Sequence, residues 1–233
     1  MQPEIERPAS AQPVRPGAGA PPAPGACAAG HPVTVRHLAH SRVAGLLLAA
    51  GTGSRLGQPK ALIEVGGQTL AERGVAMLRD GGAEPVVVVT GAAAISLPGV
   101  VTAHNPDWRS GMGSSLRAGL ATLPDDCEAA VVALVDQPLI GAAAVRRLIT
   151  AFRGGASVAV ACYDGQPRNP VLIARRHWAA VAEAARGDTG ARSFLRANPG
   201  LVTPIECGDT GRPDDVDTGE DLRRIAGLIT GPA

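Results

Sequence analysis

The stretch Val43 to Lys60, VAGLLLAAGTGSRLGQPK, constrains this chain more than any other. An apolar run from Val43 to Ala50 breaks into Gly51-Thr52-Gly53-Ser54 and then into two cations, Arg55 and Lys60. An apolar run of this length bounded by glycine reads as a buried strand. The glycines let the following backbone turn tightly and bring its N–H groups to an anion, which bulky side chains would block. Arg55 and Lys60 supply charge to polyphosphate oxygens, Arg as a planar fork and Lys as a mobile point charge. The stretch therefore predicts a strand feeding a phosphate cradle. Two other phosphate loops fit poorly. A P-loop needs Gly-Lys followed by Ser or Thr, but Gly57 precedes Gln58-Pro59 and Lys60 precedes Ala61. A dinucleotide fingerprint needs a glycine where Leu56 stands and an acid closing the next strand, which ends at Val89-Thr90-Gly91.

Composition narrows the partners. The chain has 233 residues, 45% of them hydrophobic and only 2% aromatic, so its core must be built from Ala, Val, Leu and Ile. Base stacking, the usual means of reading single-stranded nucleic acid, has little material. The formal net charge of +1 lacks the basic excess of a duplex-binding surface. Small anions are the expected partners, with no nucleic acid. Cys27, Cys127, Cys162 and Cys207 lie far apart with no C-x-x-C pair, which reads as free thiols in a reducing cytoplasm. No apolar run approaches the roughly 20 residues of a bilayer span, and the N-terminus lacks a signal-peptide core; no membrane partner is expected.

Residues 1–42 differ from the rest, being rich in Pro, Ala and Gly with hardly a branched aliphatic. Such a segment cannot bury enough apolar surface to offset its ordering entropy, and it reads as a disordered tail. A start codon placed too far upstream gives the same text. From Val43 onward, strand-length apolar runs alternate with helical stretches, which predicts one α/β domain over 43–233 with a mostly parallel sheet covered on both faces. Helices are expected at Thr69–Asp80, Ser114–Leu123, Ala142–Phe152, His177–Ala185 and Thr189–Ala197, with a closing helix capped by Thr218. Strands are expected at Pro85–Thr90, Gly99–His104, Ala129–Val135, Ala156–Cys162 and Leu201–Glu206. A short strand at Val171–Ala174 is expected as an antiparallel addition at the sheet edge.

Asp136 follows seven apolar residues directly, which places it at the carboxyl end of a strand, where ligands bind in open α/β sheets. A carboxylate beside a bound triphosphate can hold Mg²⁺ against its oxygens. A second acid is expected, and Asp217 in Asp214-Asp215-Val216-Asp217 is the candidate, although spacing alone does not prefer it to Asp214 or Asp215. The segment from His104 to Leu116 gathers Asn105, Ser114 and Ser115 at a helix N-terminus, suited equally to anion or nucleobase contacts and to ordinary capping.

The pattern Leu-Ala-Ala-Gly-x-Gly-x-Arg-x-Gly-x-x-Lys, Leu48 to Lys60, resembles the opening signature of MobA-like nucleotidyltransferases. LAAGTGSRLGQPK, NPDWRSGMGSSLRAGL, ALVDQPLI, GQPRNPVLI, GDTGAR and DDVDTGEDL follow in the order seen in molybdenum cofactor cytidylyltransferases of the MocA type, covering Val43 to Ile229. The resemblance implies a Rossmann-like nucleotidyltransferase fold of three αβα layers. It also implies transfer of CMP from CTP to the terminal phosphate of molybdopterin, with release of pyrophosphate and a requirement for Mg²⁺. Carried over, the nucleotide site comprises Leu48, Ala49, Ala50, Gly51, Thr52, Gly53, Lys60, Asn105 and Ser115. Lys60, Arg55 and Asp136 would carry catalysis, Asp136 and Asp217 the metal, and Arg168, Asn169 and Asp188 the acceptor. A molybdenum hydroxylase or its maturation factor would be the protein partner.

Two departures stand out. Val135-Asp136-Gln137-Pro138 replaces the Ala-Asp-Met-Pro common in relatives and keeps the acid. Arg168-Asn169-Pro170 replaces Gly-His-Pro on the acceptor side. Ala50, where guanylyl-transferring relatives tend to have Gly, goes with cytidine selection, leaving GTP as the other candidate nucleotide. Rival readings are a sugar-phosphate nucleotidyltransferase and a non-catalytic module that binds nucleotide or delivers cofactor.

Overall fold

The computed structural model describes residues 41–231. The expected tail therefore lies outside the described residues, except that Arg42, assigned to it by composition, already opens a strand. In chain order the strands are β1 (Arg42–Leu48), β2 (Glu64–Val65), β3 (Gln68–Thr69), β4 (Val86–Thr90), β5 (Val101–His104), β6 (Cys127–Leu134), β7 (Val158–Tyr163), β8 (Gln166–Ala174) and β9 (Val202–Glu206). The α-helices are α1 (Leu70–Asp80), α2 (Met112–Thr122), α3 (Ala142–Arg153), α4 (Trp178–Ala184), α5 (Arg192–Ala197) and α6 (Gly219–Thr230).

The apolar runs of β1, β4 and β6 have no polar face to turn to water, so each must be covered on both sides. They lie side by side in a seven-stranded sheet of order β5-β4-β1-β6-β8-β7-β9. Alternation along β1 divides the core: Val43 and Leu47 pack with Leu78, Leu148 and Ile225 of α1, α3 and α6. Ala44, Leu46 and Leu48 pack on the opposite face with Leu116, Trp178 and Phe194 of α2, α4 and α5. Three layers result, as expected of a Rossmann-like α/β sheet.

The antiparallel strand exists but is not at the edge. β8 pairs antiparallel with both β6 and β7, so it lies inside the sheet, with parallel β7 and β9 beyond it. It is also longer than the expected Val171–Ala174. Asp164 and Gly165 take left-handed φ values of 51° and 71°, forming a two-residue hairpin turn that β8 continues from directly. Pro167 and Pro170 obscure this strand in the sequence, because proline normally interrupts a ladder.

Local chemistry fixes the helices. Thr69 caps α1: its hydroxyl accepts from Glu72 N–H at 3.1 Å while Glu72 Oε2 accepts from Thr69 N–H at 2.7 Å, a reciprocal capping box. At the other end, Ala83 N–H reaches Leu78 O and Gly82 N–H reaches Arg79 O, which closes the helix in a Schellman motif. Thr218 and Asp221 repeat the capping box at α6. Cys127, Cys162 and Cys207 are buried free thiols, and Cys27 lies outside the described residues. Among the described residues no helix is long and apolar enough to cross a membrane.

Candidate nucleotide and metal site

β1, β4, β5 and β6 are parallel, so the loops after them gather at one edge of the sheet. The loop after β1 is exposed from Gly51 to Thr52, and the N–H groups of Gly51, Thr52 and Gly53 donate to no backbone carbonyl among the described residues. Gly53 has φ +58°, and a Cβ there would stand 2.3 Å from the Gln58 carbonyl oxygen. No other residue allows the loop to fold back onto itself this closely. Leu48, expected beside nucleotide, instead packs in the core at 7% exposure. Its carbonyl accepts from Val135 N–H, so it aligns β1 with the end of β6.

Lys60 opens a single 3-10 turn, Lys60–Leu62, whose Ala61 is fully buried. Its Nζ donates to Asp136 Oδ2 at 2.7 Å and to Asp217 Oδ1 at 2.5 Å. Burial alone would lower the pKa of this ammonium, but the Asp136 and Asp217 carboxylates outweigh it and raise the value. Arg55 is exposed and makes no ion pair among the described residues.

The Asp217 loop is laced to the loop that follows Asp136. Val216 N–H donates to Asp136 O at 2.8 Å, Gln137 Nε2 donates to Asp215 Oδ1 at 2.9 Å, and Ile140 forms a bridge with Gly211. Burial, followed by the Asp136 charge, pushes the Asp215 carboxyl above the ordinary range. Gln137 and Asp215 were not foreseen as a pair. The alternation Asp215-x-Asp217 in an extended segment, which sends both side chains the same way, was the available signal.

Asn105 is buried at 3% exposure. Its Nδ2 donates to Ser114 Oγ at 2.8 Å and Ser115 Oγ at 3.0 Å, and its Oδ1 accepts from Asp107 N–H at 3.0 Å. The carboxamide thus ties the loop after β5 to the first turn of α2. The N-terminus of α2 faces an acid of this same chain, since Met112 N–H donates to Asp188 Oδ1 at 3.3 Å. Beside it, Trp108 lies across Gly91 and Ala50: a Cβ on Gly91 would meet Trp108 Cβ at 2.6 Å and Ala50 Cβ at 2.9 Å. Arg109 covers the Trp108 ring at 4.4 Å, a cation–π contact. Arg168 and Asn169 start β8, which runs opposite to β6, so they stand at the same sheet edge as Asp136.

The donor set suits a hard divalent cation. Asp136 and Asp217 are brought together through one ammonium, and Asp136 Oδ1 is buried with no hydrogen-bond partner. Among the described residues no three His, Cys, Asp or Glu side chains form a metal cage. Two carboxylates that leave the remaining positions to phosphate oxygens and water match the habit of Mg²⁺.

The sequence and the fold have counterparts in known proteins. Residues 45–202 match the MobA-like NTP transferase domain. The chain belongs to that family. The chain is 42% identical to nicotine blue oxidoreductase of Paenarthrobacter nicotinovorans, covering 78% of this chain and 96% of that one. It is 32% identical to a probable molybdenum cofactor guanylyltransferase of Opitutus terrae, over 67% of this chain and 79% of the relative. A solved structure of Rv0371c from Mycobacterium tuberculosis H37Rv in complex with manganese superposes with a TM-score of 0.67 at 26% identity, covering 80% of this chain and 98% of that one. Family and fold together make this protein a MobA-like nucleotidyltransferase.

Proposed function

We propose that this nucleotidyltransferase moves CMP from CTP to the terminal phosphate of a molybdopterin-type acceptor. The observation that carries the reading is the meeting of Lys60, Asp136 and Asp217 at the sheet edge where the glycine loop opens. An acceptor phosphate oxygen attacks the α-phosphorus, the bond from that phosphorus to the bridging oxygen breaks, and pyrophosphate leaves in line. No proton needs removing from an ionised phosphate, so the protein's task is alignment and charge neutralisation. Gly51, Thr52 and Gly53 N–H groups and Arg55 receive the leaving pyrophosphate, and Lys60 meets the charge developing on the phosphates. Asp136 and Asp217 would hold Mg²⁺, which when bound would polarise the phosphoryl oxygens.

The molybdopterin acceptor is supported by the Opitutus terrae relative, whose name assigns it guanylyl transfer to that cofactor; cytidine is supported by Ala50. Arg168, Asn169 and Asp188 are assigned to the acceptor. The test is pyrophosphate release with each of the four NTPs, with and without molybdopterin. Release with CTP that depends on molybdopterin is expected. Release with a sugar phosphate instead would transfer the assignment to that substrate class, and nucleotide binding without release would make the protein a binding module.

A second reading comes from the 42% identical relative named for an oxidoreductase. Carried over, it makes the same edge a site for redox turnover of a small organic molecule. β4 ends at Thr90 without an acid, and a dinucleotide site would use such an acid on the ribose. Oxidation of NADH or NADPH with nicotine blue as acceptor, and no pyrophosphate from any NTP, would establish this reading in place of the first.

A further inference from the structure

Lys60 occupies the place a divalent cation would need. One ammonium bridges Asp136 Oδ2 at 2.7 Å and Asp217 Oδ1 at 2.5 Å. A magnesium ion binds such oxygens at about 2.0–2.1 Å, so a metal shared by both carboxylates would press directly on the ammonium, and like charges at contact repel strongly in a partly desolvated site. The two occupants exclude each other. With Lys60 in place, the two acids together carry one net negative charge instead of two. One oxygen of each carboxylate is taken up by the ammonium, and Asp136 Oδ1 is buried without a hydrogen-bond partner.

We propose that Lys60 keeps the metal position closed in the nucleotide-free protein, so that the site accepts a metal–nucleotide complex in preference to bare metal. This inference rests on the nucleotidyltransferase reading above. Incoming phosphate oxygens give the ammonium new partners at the moment the metal gives both carboxylates a replacement. Only the side chain has to move. The backbone of Lys60 is pinned by buried Ala61 and Ile63 and by the Ile63 N–H bond to Lys60 O at 3.1 Å. The four-carbon stem is flexible enough to carry the charge from one set of oxygens to the other. Because coupling between two ligands is reciprocal, metal and nucleotide each strengthen the other's binding.

The experiment titrates Mn²⁺ into nucleotide-free protein and reads free metal by electron paramagnetic resonance. Lys60→Met, which keeps the stem and removes the charge, is expected to bind Mn²⁺ about tenfold or more tightly than wild type, within the usual range of such couplings. The gain is expected to vanish in the Lys60→Met, Asp217→Asn double variant. Equal Mn²⁺ affinity in wild type and Lys60→Met overturns the proposal. Should Lys60→Met not fold, wild type alone decides: its calorimetric affinity for a non-hydrolysable CTP analogue must rise about tenfold or more when Mn²⁺ is present, and no rise overturns the proposal. An analogue that binds normally while these metal effects are absent sinks only this inference; an analogue that binds under no condition sinks the nucleotidyltransferase reading as well.

Discussion

Lys60 and Asp217 stand 157 positions apart in the chain, and their charged groups meet at 2.5 Å. Asp136 joins them at 2.7 Å from the same nitrogen. In a site whose work is charge neutralisation, removing one such contact typically costs ~10²-fold or more in rate. Lys60→Ala and Asp136→Ala are each expected to abolish detectable pyrophosphate release while the far-ultraviolet circular dichroism spectrum stays that of wild type. Near-normal turnover in either variant removes it from the catalytic assignment.

Gly53 is held with φ +58° and with the Gln58 carbonyl where a Cβ would lie. Gly53→Ala meets both the left-handed penalty, about 1–2 kcal/mol, and a backbone clash. The loop is exposed, so the fold should survive and the cradle should not. Nucleotide affinity is expected to fall by tenfold or more, since 1.4 kcal/mol is about a factor of ten, with a small change in melting temperature. Wild-type affinity would show that the loop does not hold phosphate.

Asn105 fills its hydrogen bonds with Ser114, Ser115 and Asp107. Asn105→Ala removes a buried polar bracket and leaves partners unsatisfied, at a cost of about 1–3 kcal/mol. Differential scanning calorimetry should show a clear fall in melting temperature, together with weaker nucleotide binding as the loop after β5 loosens. An unchanged melting temperature with lost affinity would instead make Asn105 a direct ligand contact.

The Asp215 carboxyl is raised by burial and by the Asp136 charge. A raised folded pKa means that the ionised form is disfavoured in the native state, so the group costs stability above its folded pKa and costs nothing below its unfolded value near 3.9. Asp215→Asn keeps an acceptor for Gln137 Nε2 and removes the charge. The variant is expected to melt above wild type at pH 7, with the difference shrinking to nothing as the pH falls below about 4. A difference that is constant across that window would mean the charge is not its origin.

The parallel half of the sheet was legible because strands buried on both faces leave unbroken apolar text, as Val86 to Val89 do. Asp136 was legible because a charge at the end of such a run has only the sheet edge to occupy. The β7–β8 hairpin was not read, although Asp164-Gly165 is a strong turn signal, because Pro167 and Pro170 spoke against a strand. Asp217 could not be told from Asp214 or Asp215 by spacing, since the choice is made across the molecule by Lys60 and by the lacing of Val216 and Asp215 to the Asp136 loop. Asp214 is drawn away to Arg212 and Arg224. The sequence suited Asn105 equally to ligand contact and to capping, because it shows a polar residue but not its partners, which here are Ser114, Ser115 and Asp107.

The reversal of chain direction at β8 separates two tasks that the proposed reaction must combine. Everything assigned to the nucleotide, apart from the Asp217 loop, hangs from strands that run one way, whereas Arg168 and Asn169 are delivered to that edge by the opening residues of β8, a strand that comes back the other way. Residues 164–168 are exposed, so their side chains can be exchanged while the buried part of β8, from Pro170 onward, keeps its place in the sheet. Exchanging residues 164–169 for those of a relative should therefore retarget the second substrate and leave the choice of nucleotide untouched, so that one grip serves many recipients.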